Sequence, residues 1–233
     1  MDSKLKVDNS FWDIFPDASI SVLTIKGIDN KVQSAVIART QELLDSSTIK
    51  SEKHLTEDTF SSNAIVQDWR QAFTKFKKKK GARSSIEALL KRVSQGQRFN
   101  SINPLVDIYN SISLEYGVPC GGEDLNKISD IMHLGTANGG EAFRPLGSDK
   151  DDPALPGEVI YYDNEGAICR SFNWREAQRT MLTENTTDAI MVIEAINEEQ
   201  QIISEQAILE LKYRIQNILG IEGQIEVFTK PQK

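Results

Sequence analysis

Histidine and cysteine are scarce in this 233-residue chain, two of each. His54 and His133 stand alone at no metal-ligand spacing, which argues against a zinc site. Ser-His-Asp or Cys-His chemistry would have to use one of these two. His133, in the strand-like run Ile131-Met132-His133-Leu134, reads as a core or edge histidine. Cys120 and Cys169 form no CxxC pair, which argues against a disulfide framework, and each reads as a small buried apolar group. No apolar run approaches the roughly 20 residues of a membrane helix. The leading residues Met1-Asp2-Ser3-Lys4-Leu5-Lys6-Val7-Asp8 lack the apolar core of a signal peptide. A cytoplasmic protein without membrane contact is expected. Gly135, Gly139 and Gly140 do not follow the spacing of a phosphate-cradling loop and read as turn glycines. No cofactor and no metal are expected.

Charge is unevenly spread. The net charge is −7 and the pI about 5.0, which does not announce a nucleic-acid binder, and DNA is not an expected partner. Yet Lys75, Lys77, Lys78, Lys79, Lys80 and Arg83 gather within nine residues. One concentrated basic patch on an acidic body can bind a polyanion locally. The alternative is a solvated helix end, since lysines also suit a helix C-terminus.

Phe11-Trp12-Asp13-Ile14-Phe15-Pro16 reads as an aromatic N-terminal turn, and Ile20–Ile28 as a strand with turn chemistry at Gly27, Asp29 and Asn30. Val32, Ala35, Val36, Leu43 and Leu44 suit one helix face; Asp45 to Thr56 reads as an exposed connection. Ile65, Val66, Trp69, Ala72, Phe73 and Phe76 have helical spacing up to the lysines. Ser84 with Glu87 resembles a capping box. Asn103-Pro104 opens another helix, with Asn103 as cap and Pro104 at the first position, ended by Gly117. Pro119-Cys120-Gly121-Gly122 reads as a flexible turn, and Pro156 to Cys169 as strand, hairpin turn, strand. Ser204 is expected to cap a last helix stopped by Gly220, before a strand at Ile225–Phe228. Helices early and last, strands mostly between them and no regular alternation favour α+β over a doubly wound sheet. Residues 1–82 form a strand and helix part carrying the basic cluster and residues 83–233 the core, together expected as one compact domain.

The densest concentration of chemistry is Cys169 to Thr187. Arg170, Arg175 and Arg179 fall within ten residues, and guanidinium groups hold phosphate or carboxylate by forked hydrogen bonds that lysine cannot make. Asn173, Thr183 and Thr186 can order a water or a hydroxyl. Each residue also has a structural alternative: Asn173 and Thr183 as caps, Arg179 paired with Glu184, Trp174 in the core.

Ser84–Val93, Asn103–Asn110 and Ser113–Pro119, followed by Gly121, Asp124, Leu125 and Pro156-Gly157-Glu158-Val159, then Phe172-Asn173-Trp174-Arg175 through Arg179-Thr180 and Leu182-Thr183-Glu184, resemble the B-three/B-four module. This is the editing and tRNA-binding module of the phenylalanyl-tRNA synthetase beta subunit, which also occurs free-standing. The resemblance runs from about Arg83 to Glu194, and no synthetase core or anticodon module is recognisable beside it. It implies an α+β fold and hydrolysis of the ester joining a wrong amino acid to the terminal ribose of tRNA. Synthetase modules carry a histidine one or two residues after the proline of the turn matching Pro119–Gly122; here Gly121 or Gly122 stands there. A general base contributes roughly 100- to 10,000-fold, and its loss leaves a positioned water and the neighbouring ribose hydroxyl to supply much of the effect.

The resulting expectation is a trans-acting aminoacyl-tRNA deacylase. Asn173, Thr183 and Thr186 would orient water or ribose hydroxyls, and Glu184 would receive the substrate ammonium. Trp174, Arg175 and Arg179 would contact substrate, with Arg170 a weaker candidate. Gly121 and Gly122 would allow close approach to the backbone, and Lys77, Lys78, Lys79, Lys80 and Arg83 would steer the tRNA phosphates. The alternatives are a tRNA- or RNA-binding module without catalysis and an amino-acid sensor.

Overall fold

In the computed structural model, which describes residues 3–231, the elements run β1 (Leu5–Val7), α1 (Asn9–Ile14), β2 (Ser19–Lys26), α2 (Ser34–Lys50), α3 (Ala64–Ala72), α4 (Ser85–Ser94) and α5 (Pro104–Tyr116). They continue as β3 (Cys120–Asp124), β4 (Met132–Thr136), β5 (Val159–Asp163), β6 (Gly166–Arg170), β7 (Arg175–Glu176), β8 (Asp188–Ala195), α6 (Glu198–Leu219) and β9 (Gly223–Thr229). The fold is α+β. Of the residues read above as an N-terminal lead, Met1 and Asp2 lie outside the described part, as do Gln232 and Lys233 of the last segment. Among the described residues no helix is long and apolar enough to cross a membrane.

One sheet has the order β1-β4-β5-β6-β7, the other β3-β8-β2-β9. Strand parity shows how the layers stack. On β8, Ala189, Met191 and Ile193 join the cluster that includes Ile108, Ile112, Leu211 and Ile215 of α5 and α6. Ile190 and Val192 instead join Met132, Leu134, Tyr161 and Cys169 of the other sheet. Alternation at period two thus places helices against one face of the four-stranded sheet and the five-stranded sheet against the other. The early strand β2 lies between β8 and β9, so residues before and after 83 share one sheet.

Locally encoded ends form as expected. Asn103 accepts from the Val106 amide at 3.1 Å, and Gly117 closes α5 in the left-handed conformation (φ 69°). Elsewhere long-range partners decide. The expected capping box at Ser84 does not form: Glu87 binds Arg70 at 2.8 and 3.0 Å, and the buried Ser84 hydroxyl has no partner. The expected connection at Asp45 to Thr56 is the end of α2, through Lys50, plus a 3-10 turn; Ser47 and Ser51 are buried, and Thr48 donates back to the Leu44 carbonyl at 2.7 Å. Phe11 to Ile14 are helical, and Phe11 and Phe15 sit in an aromatic cluster with Phe172. Ser204 is buried mid-helix, bonded to Ser21 at 3.1 Å, while Asn197 caps α6. Gly135 belongs to β4, not to a turn, paired with Ile160, and a Cβ there would meet Asp8 Oδ2 at 2.5 Å.

Candidate active site

Between the two sheets lies a cavity of about 320 Å³. Its floor comes from the inter-sheet face of β3 and β8, with Gly121, Glu123, Val192 and Glu194; Tyr161, Cys169 and Glu176 face it from the other sheet. Pro119–Gly122 was expected as a turn, yet residues 120–124 are a strand paired with β8. Of the two glycines, Gly122 is required for room against a neighbouring side chain. A Cβ at Gly122 would fall 2.6 Å from Met191 Sδ, and one at Gly121 would sit 3.5 Å from Glu176 Oε1.

Three carboxyl groups thus line one small space. Glu194 is 3% exposed; it accepts from the Tyr161 hydroxyl at 2.9 Å and from Asn173 Nδ2 at 3.5 Å. Burial pushes its carboxyl up to about 8 despite those two donors. Glu176 keeps some solvent contact, yet the surrounding atoms are dense enough that burial pushes it up to about 7. Glu123 is 5% exposed, and its Oε2 has no hydrogen-bond partner. Burial first, and then the charge of Glu176, move it well above the usual carboxylate range. The two cysteine thiols are buried and raised well above their ordinary value, burial being the main cause. They remain protonated at neutral pH and are poor nucleophiles.

The backbone turn that delivers Asn173, Trp174 and Arg175 to this space is unusual. Ser171 and Phe172 both lie in the left-handed region, at φ 48° and 64°, a conformation that costs about 1–3 kcal/mol for each such residue. Two anchors hold it: Ser171 Oγ donates to Glu158 at 2.5 Å, and Phe172, fully buried, packs against Phe11, Phe15 and Trp69.

The structure divides the expected site residues into three groups. Gly121, Gly122, Asn173, Trp174 and Arg175 line the cavity. Arg175 is exposed at its rim, 5.2 Å from the centre of the Trp174 ring. Asn173 lies deeper and its Oδ1 accepts from the Ser85 amide at 3.4 Å.

The second group stands outside the cavity. Arg179 is paired not with Glu184 but with Asp163, through two bonds of 2.7 and 2.9 Å. Thr186 donates to Asp124 at 2.8 Å and accepts from the Thr183 amide at 3.0 Å, closing a tight turn. That turn offers the Thr183 carbonyl to Asn30, which also accepts from the Leu105 amide at 2.9 Å. Thr183 and Thr186 therefore brace the start of α5, and Glu184 projects into solvent. Arg170 is completely buried against Glu158 at 2.7 Å.

The third group is the basic segment, which is a loop rather than a helix end, since α3 stops at Ala72. Lys77 bridges to Glu158 through the backbone, Lys79 is paired with Asp152, and Lys77, Lys80 and Arg83 are exposed.

The carboxylates at 123, 176 and 194 escaped the sequence reading. For Glu194 a signal existed: it has the parity of Ile190 and Val192 in a strand too apolar to leave that face in water. A lone charge on such a face marks a site.

No curated protein sequence matches the chain. A crystal structure of an N-terminal fragment of the phenylalanyl-tRNA synthetase beta subunit from Pyrococcus horikoshii shares the fold, with a TM-score of 0.50 at 12% identity, covering 98% of this chain. The chain spans about half of that fragment, 54% of its length. The B3/4 domain family model matches residues 68–214, which include the cavity-lining stretches from Ser85 to Glu194. Because that match takes in more than half of the sequence, the chain belongs to the B3/4 domain family.

Proposed function

We propose that the protein hydrolyses the ester of aminoacyl-tRNA, acting in trans. The observation that carries this reading is the carboxylate-lined cavity, one of whose lining residues, Ser85, follows closely on the cationic segment. Asn173 ties Glu194 to the Ser85 amide, two residues beyond Arg83, and Arg83 with Lys77, Lys78 and Lys80 of the same segment would meet the phosphates of the tRNA acceptor end. The structure sharing the fold is a fragment of a tRNA synthetase subunit, which supports tRNA as the partner.

Within the cavity, Glu194 receives the α-ammonium and Asn173 orients the acyl group. These take over the roles expected for Glu184, Thr183 and Thr186. Arg175 at the rim contacts the terminal phosphate by a forked bond. Glu176 takes a proton from a water as the water oxygen attacks the ester carbonyl. The carbonyl–ribose bond then breaks, and the proton passes to the departing ribose oxygen, releasing free amino acid and tRNA. A general base works best with a pKa near the working pH, which Glu176 at about 7 satisfies.

The test is a deacylation screen of the purified chain against tRNAs charged correctly and incorrectly. At least one ester is expected to be cleaved well above the buffer rate, with kcat/KM rising as pH passes 7 and Glu176 ionises. Glu176→Gln is expected to lower that rate roughly 100- to 10,000-fold with an unchanged circular dichroism spectrum. Rates indistinguishable from buffer for every charged tRNA would end this reading; tRNA binding without cleavage would then leave a binding module.

A further inference from the structure

We infer that the acyl group admitted by this cavity carries a cationic side chain, whose positive charge is received at Glu123. The inference rests on the hydrolase reading for its substrate, and on geometry for its charge.

Glu123 pairs in register with Ile190, so Glu194 lies four residues farther along β8. Those positions are about 13 Å apart along the strand. The two carboxylates thus mark opposite ends of the floor, and Glu176 faces Gly121 between them. A ligand bearing one cation satisfies one end. The other carboxyl then stays protonated and contributes no charge pair to binding. A ligand with an α-ammonium and a second cation at the end of a flexible stem, as in lysine, ornithine or arginine, satisfies both.

The end at Glu123 is the one left open. Both oxygens of Glu194 have donors, whereas buried Glu123 Oε2 has none within hydrogen-bond distance, the nearby Thr180 hydroxyl being itself unpartnered. The charged groups facing Glu123 are Glu176 across the cavity, Asp124 beside it and Arg179 beyond the wall. Arg179 is already committed to Asp163. Arg175 at the rim is the one basic side chain among the cavity-lining residues. Among the described residues no three His, Cys, Asp or Glu groups are arranged to hold a metal ion, so the open acceptor suits an organic cation. Apolar neighbours, Met132 and Val192, would flank the aliphatic stem.

The experiment compares lysinamide with norleucinamide by isothermal titration calorimetry on the full chain. Both have the α-ammonium and a four-carbon stem, but only one has the terminal cation. Lysinamide is expected to bind about tenfold or more tightly, the lower end of what a close buried charge pair contributes. Its binding should release protons, seen as a buffer-dependent enthalpy, because the buried carboxyls ionise when the cation arrives. Glu123→Gln should erase the preference while leaving norleucinamide affinity unchanged. Equal or tighter binding of norleucinamide by the unsubstituted chain overturns the inference, whether or not the variant folds. The two readings fail separately. Deacylation of neutral acyl groups in preference to lysyl, ornithyl and arginyl tRNA would retain the hydrolase and remove the cation subsite. Lysinamide preference with no ester cleaved would do the reverse.

Discussion

Arg170→Ala is expected to destabilise the protein by about 3–5 kcal/mol, the cost of leaving a buried charge without its partner. For a chain of this size that is roughly 10 °C or more in melting temperature. Arg170 and Glu158 are both fully excluded from solvent, and the guanidinium also reaches the Asp152 carbonyl at 2.5 Å. Glu158 additionally accepts from Ser171 Oγ and from the Leu155 amide, so one carboxylate holds the strained turn and the start of β5 together. Removing the arginine strands that charge. A double variant, Arg170→Met with Glu158→Gln, removes both charges and keeps an acceptor oxygen for the Leu155 amide, while the Ser171 hydroxyl can rotate to accept from the new side-chain amide. It is expected to recover most of the loss. Thermal unfolding of the three proteins decides the matter: a single variant within 1 kcal/mol of the parent would show that the pair is not what holds this corner.

The second large effect is one of pH. An unfolded glutamate titrates near 4.5, whereas Glu194 in the folded chain titrates at about 8. Between those values the folded protein retains a proton that the unfolded chain has released. Its stability therefore falls as pH rises across this window and levels off above the folded value. The shift corresponds to a loss on the order of 5 kcal/mol, and Glu176, raised to about 7, adds in the same direction. Glu194→Gln carries no charge at any pH and keeps an oxygen for the Tyr161 hydroxyl. The variant should match the parent near pH 5 and exceed it by a few kcal/mol at pH 8. Urea unfolding at each pH measures this, and a difference that does not change with pH would refute it.

These effects centre on residues that sequence alone reads unevenly. Asn103, Pro104 and Gly117 were legible because the groups they satisfy lie within a turn of helix. The hairpin of β5 and β6 was legible for the same reason. Ser84 and Glu87 carried an equally good local signal, but Arg70, 17 residues away, competes for the same carboxylate. Gly121 and Gly122 looked like a turn because glycine is usually chosen for conformation; here Gly122 is required for room beside Met191. The loop at 169–187 was rightly picked out as dense in polar chemistry, yet its arginines are divided by partners far along the chain. Arg170 is held by Glu158, Arg179 by Asp163, and Arg175 alone reaches the cavity rim. Such partners are invisible to any reading of spacing.

The position of β2 has a consequence for how the protein is made. Its two neighbours are β8 and β9, with Ser19 opposite Ala195 on one side and Thr229 on the other. At ribosomal speeds of about 5–20 residues per second, roughly ten to forty seconds separate emergence of β2 from that of its last partner. For that time an eight-residue strand, seven of whose residues are buried in the folded protein, has both edges open. The nascent chain is thus most exposed to mispairing at its beginning, and the step that ends the exposure is arrival of the final strand.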